Sequence, residues 1–263
     1  MKSFLTSFQT EIIKIKNSFA VWLIILGAAF IPLFFFLHHI YDWDDYLPKP
    51  GENPWNEYFR KGFNGVHFTF LPLLIVLLVS LLLNIEHKSN TWKHIFVLPI
   101  SKSKIFFSKY LLLVFLIVSF YFLLLIFFFG FAILLGLWKS DFNFFEYSPS
   151  YLYNSVQSAI TSFVIRSFIS TLAIGAIHFW LSFRLKNLFI NIAIGLAGVV
   201  LAVSMYIPHW ESIIYVPYAF PVLMCNYIPD AKNFLSDFQV NSLLYFLIIS
   251  VLSYFDFTKL FHG

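Results

Sequence analysis

The sequence is short of cysteine, short of charge and empty of the motifs that announce an ATPase or a hydrolase. A single cysteine, Cys225, excludes an intramolecular disulfide and any metal site built from several thiolates, and reads as a small buried apolar residue. No H-E-x-x-H stands on an apolar run, so zinc proteolysis of that pattern is excluded. A G-x-S-x-G elbow is also missing. No glycine is followed by Lys-Ser or Lys-Thr, which excludes ATP binding by a P-loop on this chain. If the protein serves an ATP-driven machine, the engine is on another polypeptide. Nothing points to a nucleic-acid partner.

What is present is apolar. Hydrophobic residues make up 60% of the 263, including 36 phenylalanines, and charged residues only 11%; the mean hydropathy is +0.80. The apolar residues lie in long unbroken runs, apolar on every face, which suits helices solvated by lipid. The expected fold class is therefore all-α, a polytopic membrane protein forming one transmembrane domain. A β-barrel is excluded because the runs show no alternation of period two. The first run is too long for the apolar core of a signal peptide and lacks a small-residue cleavage site, so it is expected to remain in the chain.

Six spans are read, at about 19–40, 66–85, 110–138, 158–183, 188–207 and 241–255. The third exceeds the roughly 20 residues that cross the hydrocarbon, and the last is expected to recruit residues from about Phe234. Charge orients them. One side carries the N-terminus, the loops after spans 2 and 4, and the C-terminus. It holds eleven of the seventeen Lys and Arg but only Glu11, Glu86 and Asp256 among the thirteen acids. The positive-inside rule places both termini in the cytoplasm. Residues 1–17 carry Phe4, Phe8, Ile12 and Ile15 at helical spacing with lysines between, as an interfacial helix would on anionic lipid.

The outer connections differ. Residues 41–62 are acidic, aromatic and punctuated by Pro and Gly, and read as a surface loop. Residues 208–238 are too apolar for a solvated loop and too rich in proline for a span. They fit short helices dipping into the outer leaflet with protein around their backbone. Arg166 and His178 are the ionisable residues inside span 4. Arg166 is expected to snorkel to outer headgroups and His178 to lie at the cytoplasmic interface. His38 and His39 read as polar residues of the outer interface.

The charge gathers at 86–109, EHKSNTWKHIFVLPISKSKIFFSK. Ser89 or Asn90 can cap a short helix, Pro99 should stop it, and Ser101 can cap a second helix running into span 3. Three readings compete for this stretch. Glu86, His87 and His94 can be assembled into a metal site, although the lysines around them repel a cation. The lysines alone suit a basic patch on anionic lipid, as in a scaffold or sensor. A short helix with Trp92, Ile95 and Phe96 on one side also suits the grip of a cytoplasmic partner.

The order Glu86, Trp92-Lys93, Leu98-Pro99-Ile100-Ser101-Lys102 resembles the signature that follows the second span of ABC-2-type transporter permeases. It looks most like the branch that includes lantibiotic and bacitracin self-protection exporters. The resemblance extends to the interfacial N-terminal helix, the six spans and the apolar outer segment before span 6. It implies that 86–104 is a coupling loop docking on a separate ATPase through Glu86, Trp92, Lys93, Leu98, Pro99, Ser101 and Lys102. It further implies two permease subunits with two ATPases that hold ATP and Mg, in a bacterial cytoplasmic membrane, no cofactor or catalysis on this chain, and export of amphiphilic peptides, antibiotics or lipid-like compounds.

Overall fold

The computed structural model describes residues 2–88, 91–97, 99–149, 160–225, 227 and 234–261, with the side chains of Lys2, Ser3, Lys93 and Thr161 excepted. The fold is all-helical among these residues. A short helix, α1 (Lys2–Ile15), precedes the first span, α2 (Phe19–Tyr41). Next come α3 (Pro54–Gly65) and α4 (Leu71–Lys88), joined without a break through a π-turn over Val66–Phe70. Pro72 explains the turn: it offers no N–H to the preceding turn's carbonyls, and the ladder widens just ahead of it.

The short α5 (Trp92–Val97) then leads to α6 (Lys102–Trp138), α7 (Ile160–Arg184), α8 (Leu188–Tyr206) and α9 (Asp237–Phe255). Among the described residues, six helical stretches are long and apolar enough to cross a membrane. This is a multi-pass membrane protein. At 37 residues α6 is about 55 Å long, well beyond a hydrocarbon core, so its lysine-bearing start projects from the apolar slab. The sixth span opens at Asp237, where the Gln239 side chain accepts from the Ser236 N–H at 3.0 Å and ties down the first turn.

Two expectations need correction. The stretch 41–62 is not all loop: α3 buries Trp55, Tyr58, Phe59 and Phe63, whose spacing of three and four marks one helical face. Asn53 caps it by accepting from the Trp55 N–H at 3.0 Å. Arg166 does not snorkel, because helix packing and the outer segment enclose it completely, with its Nη1 on the Tyr227 hydroxyl at 3.0 Å. His178 is also fully buried.

Beyond α8 the chain turns back inward through three short 3-10 turns at Glu211–Tyr215, Pro217–Ala219 and Val222–Met224. Ala219, Phe220, Val222 and Met224 are buried, and α9 covers the irregular backbone: Asn241 and Tyr245 donate to the Ile214 and Tyr215 carbonyls at 2.8 and 3.0 Å. Residues 226 and 228–233 of the expected outer segment lie outside the described residues.

Candidate functional site

The basic end of the bundle is organised by four charges that alternate in sign. Lys109, on α6, donates to Glu86 Oε1 at 2.6 Å and to Glu11 Oε2 at 2.7 Å. Lys14 donates to Glu11 Oε1 at 2.9 Å and to the same Glu86 oxygen at 3.0 Å. Two carboxylates and two ammoniums thus close a neutral ring that ties α1, α4 and α6 together. Neutrality matters, since an unpaired charge at this depth would cost several kcal/mol. Burial works against the Lys14 charge, but the Glu11 and Glu86 carboxylates outweigh it and hold its ammonium above the ordinary lysine range.

This ring is the back of the α5 element. Glu86 Oε2 accepts from the Thr91 hydroxyl, and the Thr91 carbonyl accepts the Ile95 N–H at 2.9 Å, so the acid is fastened to the head of α5. Lys109 Nζ also lies 5.5 Å from the Trp92 ring centroid. Trp92 is buried among His87, Phe96, Phe257 and Phe261, with the last two at 5.8 and 5.2 Å between ring centroids. Lys102 closes the other side, donating to the Phe261 carbonyl at 2.8 Å while its ammonium lies 4.9 Å from the Phe96 ring. The chain end after α9 is therefore part of the seat. Nearby, Arg184 Nε donates to Asp256 Oδ2 at 2.7 Å and Trp180 Nε1 to the same oxygen at 2.8 Å, pinning α7 to the foot of α9.

The residues named from the sequence fall into two groups. Glu86 and Trp92 face inward and Lys102 is half-buried; they anchor the element. Pro99 and Ser101 are exposed, together with His94 and with Val97 at 85% exposure. Leu98, Ser89 and Asn90 lie outside the described residues, as does the Lys93 side chain. Ser101 is extended and precedes α6 as expected, but its hydroxyl makes no capping bond. Glu86 and His87 are engaged elsewhere than in a metal site: His87 Nε2 donates to the Ser182 carbonyl at 2.8 Å.

Sequence reasoning passed over Glu11, Lys14 and Lys109. One signal was available: Glu11 falls on the apolar stripe of α1, three residues after Phe8 and four before Ile15. An acid there needs a buried base, and Lys109 sits isolated at the start of a long apolar run.

A second polar set runs from this end toward mid-bundle. Asn191 Nδ2 donates to Ser80 at 2.7 Å and also to Ser182, while its Oδ1 accepts from His178 Nδ1 at 2.9 Å. That bond fixes the proton on Nδ1, so His178 Nε2 accepts from the Tyr218 hydroxyl at 3.0 Å. Gly198 makes room for the Tyr218 ring, which a side chain there would strike. The inturned segment after α8 is thereby hydrogen-bonded to α7 and, through Asn191, to α4 and α8.

The element order, the ion ring and the α5 seat can be set beside known proteins. A family model described as ABC-2 family transporter protein matches residues 7–202, a range that holds the whole ring and α5. No curated protein and no solved structure matches the chain.

Proposed function

The chain belongs to the ABC-2 family of transporter proteins, and from that premise we propose that it is the permease subunit of an ATP-driven exporter. Its engine is a separate ATPase chain that binds ATP and Mg. Two copies of each subunit, or two related permeases, make up the working assembly in a bacterial cytoplasmic membrane, with both termini inside. The cargo is an amphiphilic peptide, an antibiotic or a lipid-like compound.

One observation carries this reading: α5 offers an exposed outer face while its inner face is locked to three helices. His94, Val97, Pro99 and Ser101 are available to a partner. Behind them Glu86, Trp92 and Lys102 join the element to α1, α4, α6 and the chain end after α9. A force applied to α5 is therefore passed to the spans rather than absorbed in a slack loop. A basic lipid patch would need neither the buried acid nor the Trp seat. The Tyr218–His178–Asn191 chain supports the same reading, because it gives the inturned segment a rigid link to the driven end.

The test is co-purification of the chain with a co-expressed ABC-type ATPase, followed by ATP hydrolysis in lipid nanodiscs. The reading expects a stable complex whose hydrolysis is lost in Val97→Asp while the permease remains folded. Failure of any ATPase to associate, or a complex indifferent to Val97→Asp and Pro99→Ala together, overturns it.

A further inference from the structure

At the end of the bundle away from the ion ring, α2, α3 and the segment after α6 enclose a cavity of about 210 Å³. Its floor is aromatic: Tyr46, Tyr58, Phe142, Phe144 and the ring of His39. His39 is only 4% exposed. Its Nδ1 donates to the Phe35 carbonyl at 2.7 Å, which places the proton there and leaves Nε2 a bare lone pair without a hydrogen-bond partner among the described residues. Tyr58 turns its hydroxyl proton away, toward the Phe128 carbonyl at 3.4 Å. The floor therefore accepts hydrogen bonds.

The wall already holds one primary ammonium. Lys61 Nζ lies 4.8 Å from the Tyr46 ring centroid and 3.2 Å from Glu57, so an aromatic face and a carboxylate here accommodate an alkylammonium. Glu57 is also committed to Arg60, at 2.8 Å. Asp45 and Glu52 line the mouth with no ion pair among the described residues, and Lys49 is the remaining charge of the lining. Glu57 is shared by Arg60 and Lys61, so Asp45 and Glu52 stand against Lys49 and part of the Lys61 charge, and the mouth is close to neutral with two carboxylates open to a ligand. An anion entering would find no hydrogen-bond donor on the floor, because the His39 and Tyr58 protons are directed to backbone carbonyls.

We infer that this cavity is a receptor for a cationic alkylammonium group, such as a lysine side chain of a peptide amphiphile, donated to His39 Nε2 and held by Asp45 and Glu52 at the mouth. The inference rests on the proposed topology only for the side from which the ligand arrives, the outer one. It deepens the proposed function by naming the chemistry of an amphiphile's head.

The experiment uses the full chain in detergent without any ATPase, so its outcome is independent of docking. The probe is Nα-acetyl-lysine methylamide, read by saturation-transfer NMR, against its Nε-acetylated counterpart and against acetate. Saturable binding of the free amine alone is expected. Binding should fall by about tenfold or more in Asp45→Asn/Glu52→Gln, two exposed positions that leave the fold intact. His39→Phe should lose binding with its unfolding midpoint kept, and Lys49→Met should strengthen it. Equal binding of both lysine probes, tighter binding of acetate, or unchanged binding in the double variant overturns the inference. In sealed vesicles, binding only from the ATPase side would refute the topology and leave the site standing.

Discussion

Lys109 and Glu86 meet at 2.6 Å with side chains each 3% exposed. The contact joins the start of α6 to the end of α4, immediately behind the α5 element. Removing one member leaves a buried charge, and breaking such a pair costs about 3–5 kcal/mol. Lys109→Met should therefore destabilise the chain by that order in chemical unfolding in micelles. Lys109→Met/Glu86→Leu should recover much of the loss, because Glu11 and Lys14 remain as a neutral pair. A double variant as unstable as the single would show that the pair is not the unit of stability.

The two faces of α5 predict opposite phenotypes. Trp92→Ala empties the seat formed with Phe257 and Phe261 and should cost about 3–5 kcal/mol. Val97→Asp touches no core and should change stability by less than about 0.5 kcal/mol. Unfolding midpoints of the two purified variants check this directly; similar midpoints would contradict the assigned orientation of the element.

The ion ring has a pH signature through Lys14, whose pKa is raised in the fold. A raised base contributes stability that is fully present below its unfolded value, near 10.5, and is lost as pH climbs through the higher folded value. The stability gap between the wild-type chain and Lys14→Met should be flat from neutral to mildly alkaline pH and close only above that range. A gap that closes near neutrality would assign the effect to another group.

The inturned segment depends on Tyr218. Tyr218→Phe leaves His178 Nε2 without its donor in a buried site, at a cost of about 1–3 kcal/mol. Gly198→Val, which places a side chain where the Tyr218 ring sits, should destabilise at least as much. If the segment is read by limited proteolysis within 208–225, both variants should be cut faster than wild type.

Spans were legible because lipid imposes long, all-round apolarity, and the proline and the serine of the 86–104 loop marked where α5 ends and α6 begins. What stayed hidden depends on long-range pairing. Glu11 and Lys109 are 98 positions apart, and nothing local to either says that they touch. Trp92 read as a contact for a partner, yet its ring is claimed by Phe257 and Phe261 from the far end of the chain. Arg166 was misplaced because snorkelling assumes a lipid-facing helix side, whereas α7 turns that side into protein. The helix α3 was masked by its flanking Pro and Gly, although Trp55, Tyr58, Phe59 and Phe63 already had helical spacing.

Docking of an ABC-type ATPase on the exposed face of α5 is the step on which the proposed function depends. A photo-crosslinking residue at position 97 tests it most directly, with the inward position 92 and Lys49 in the opposite cavity as controls, and products identified by mass spectrometry. A covalent product containing an ABC-type ATPase is expected from position 97 and none from positions 92 or 49. No ATPase adduct at 97, or equal yields from all three positions, would contradict it.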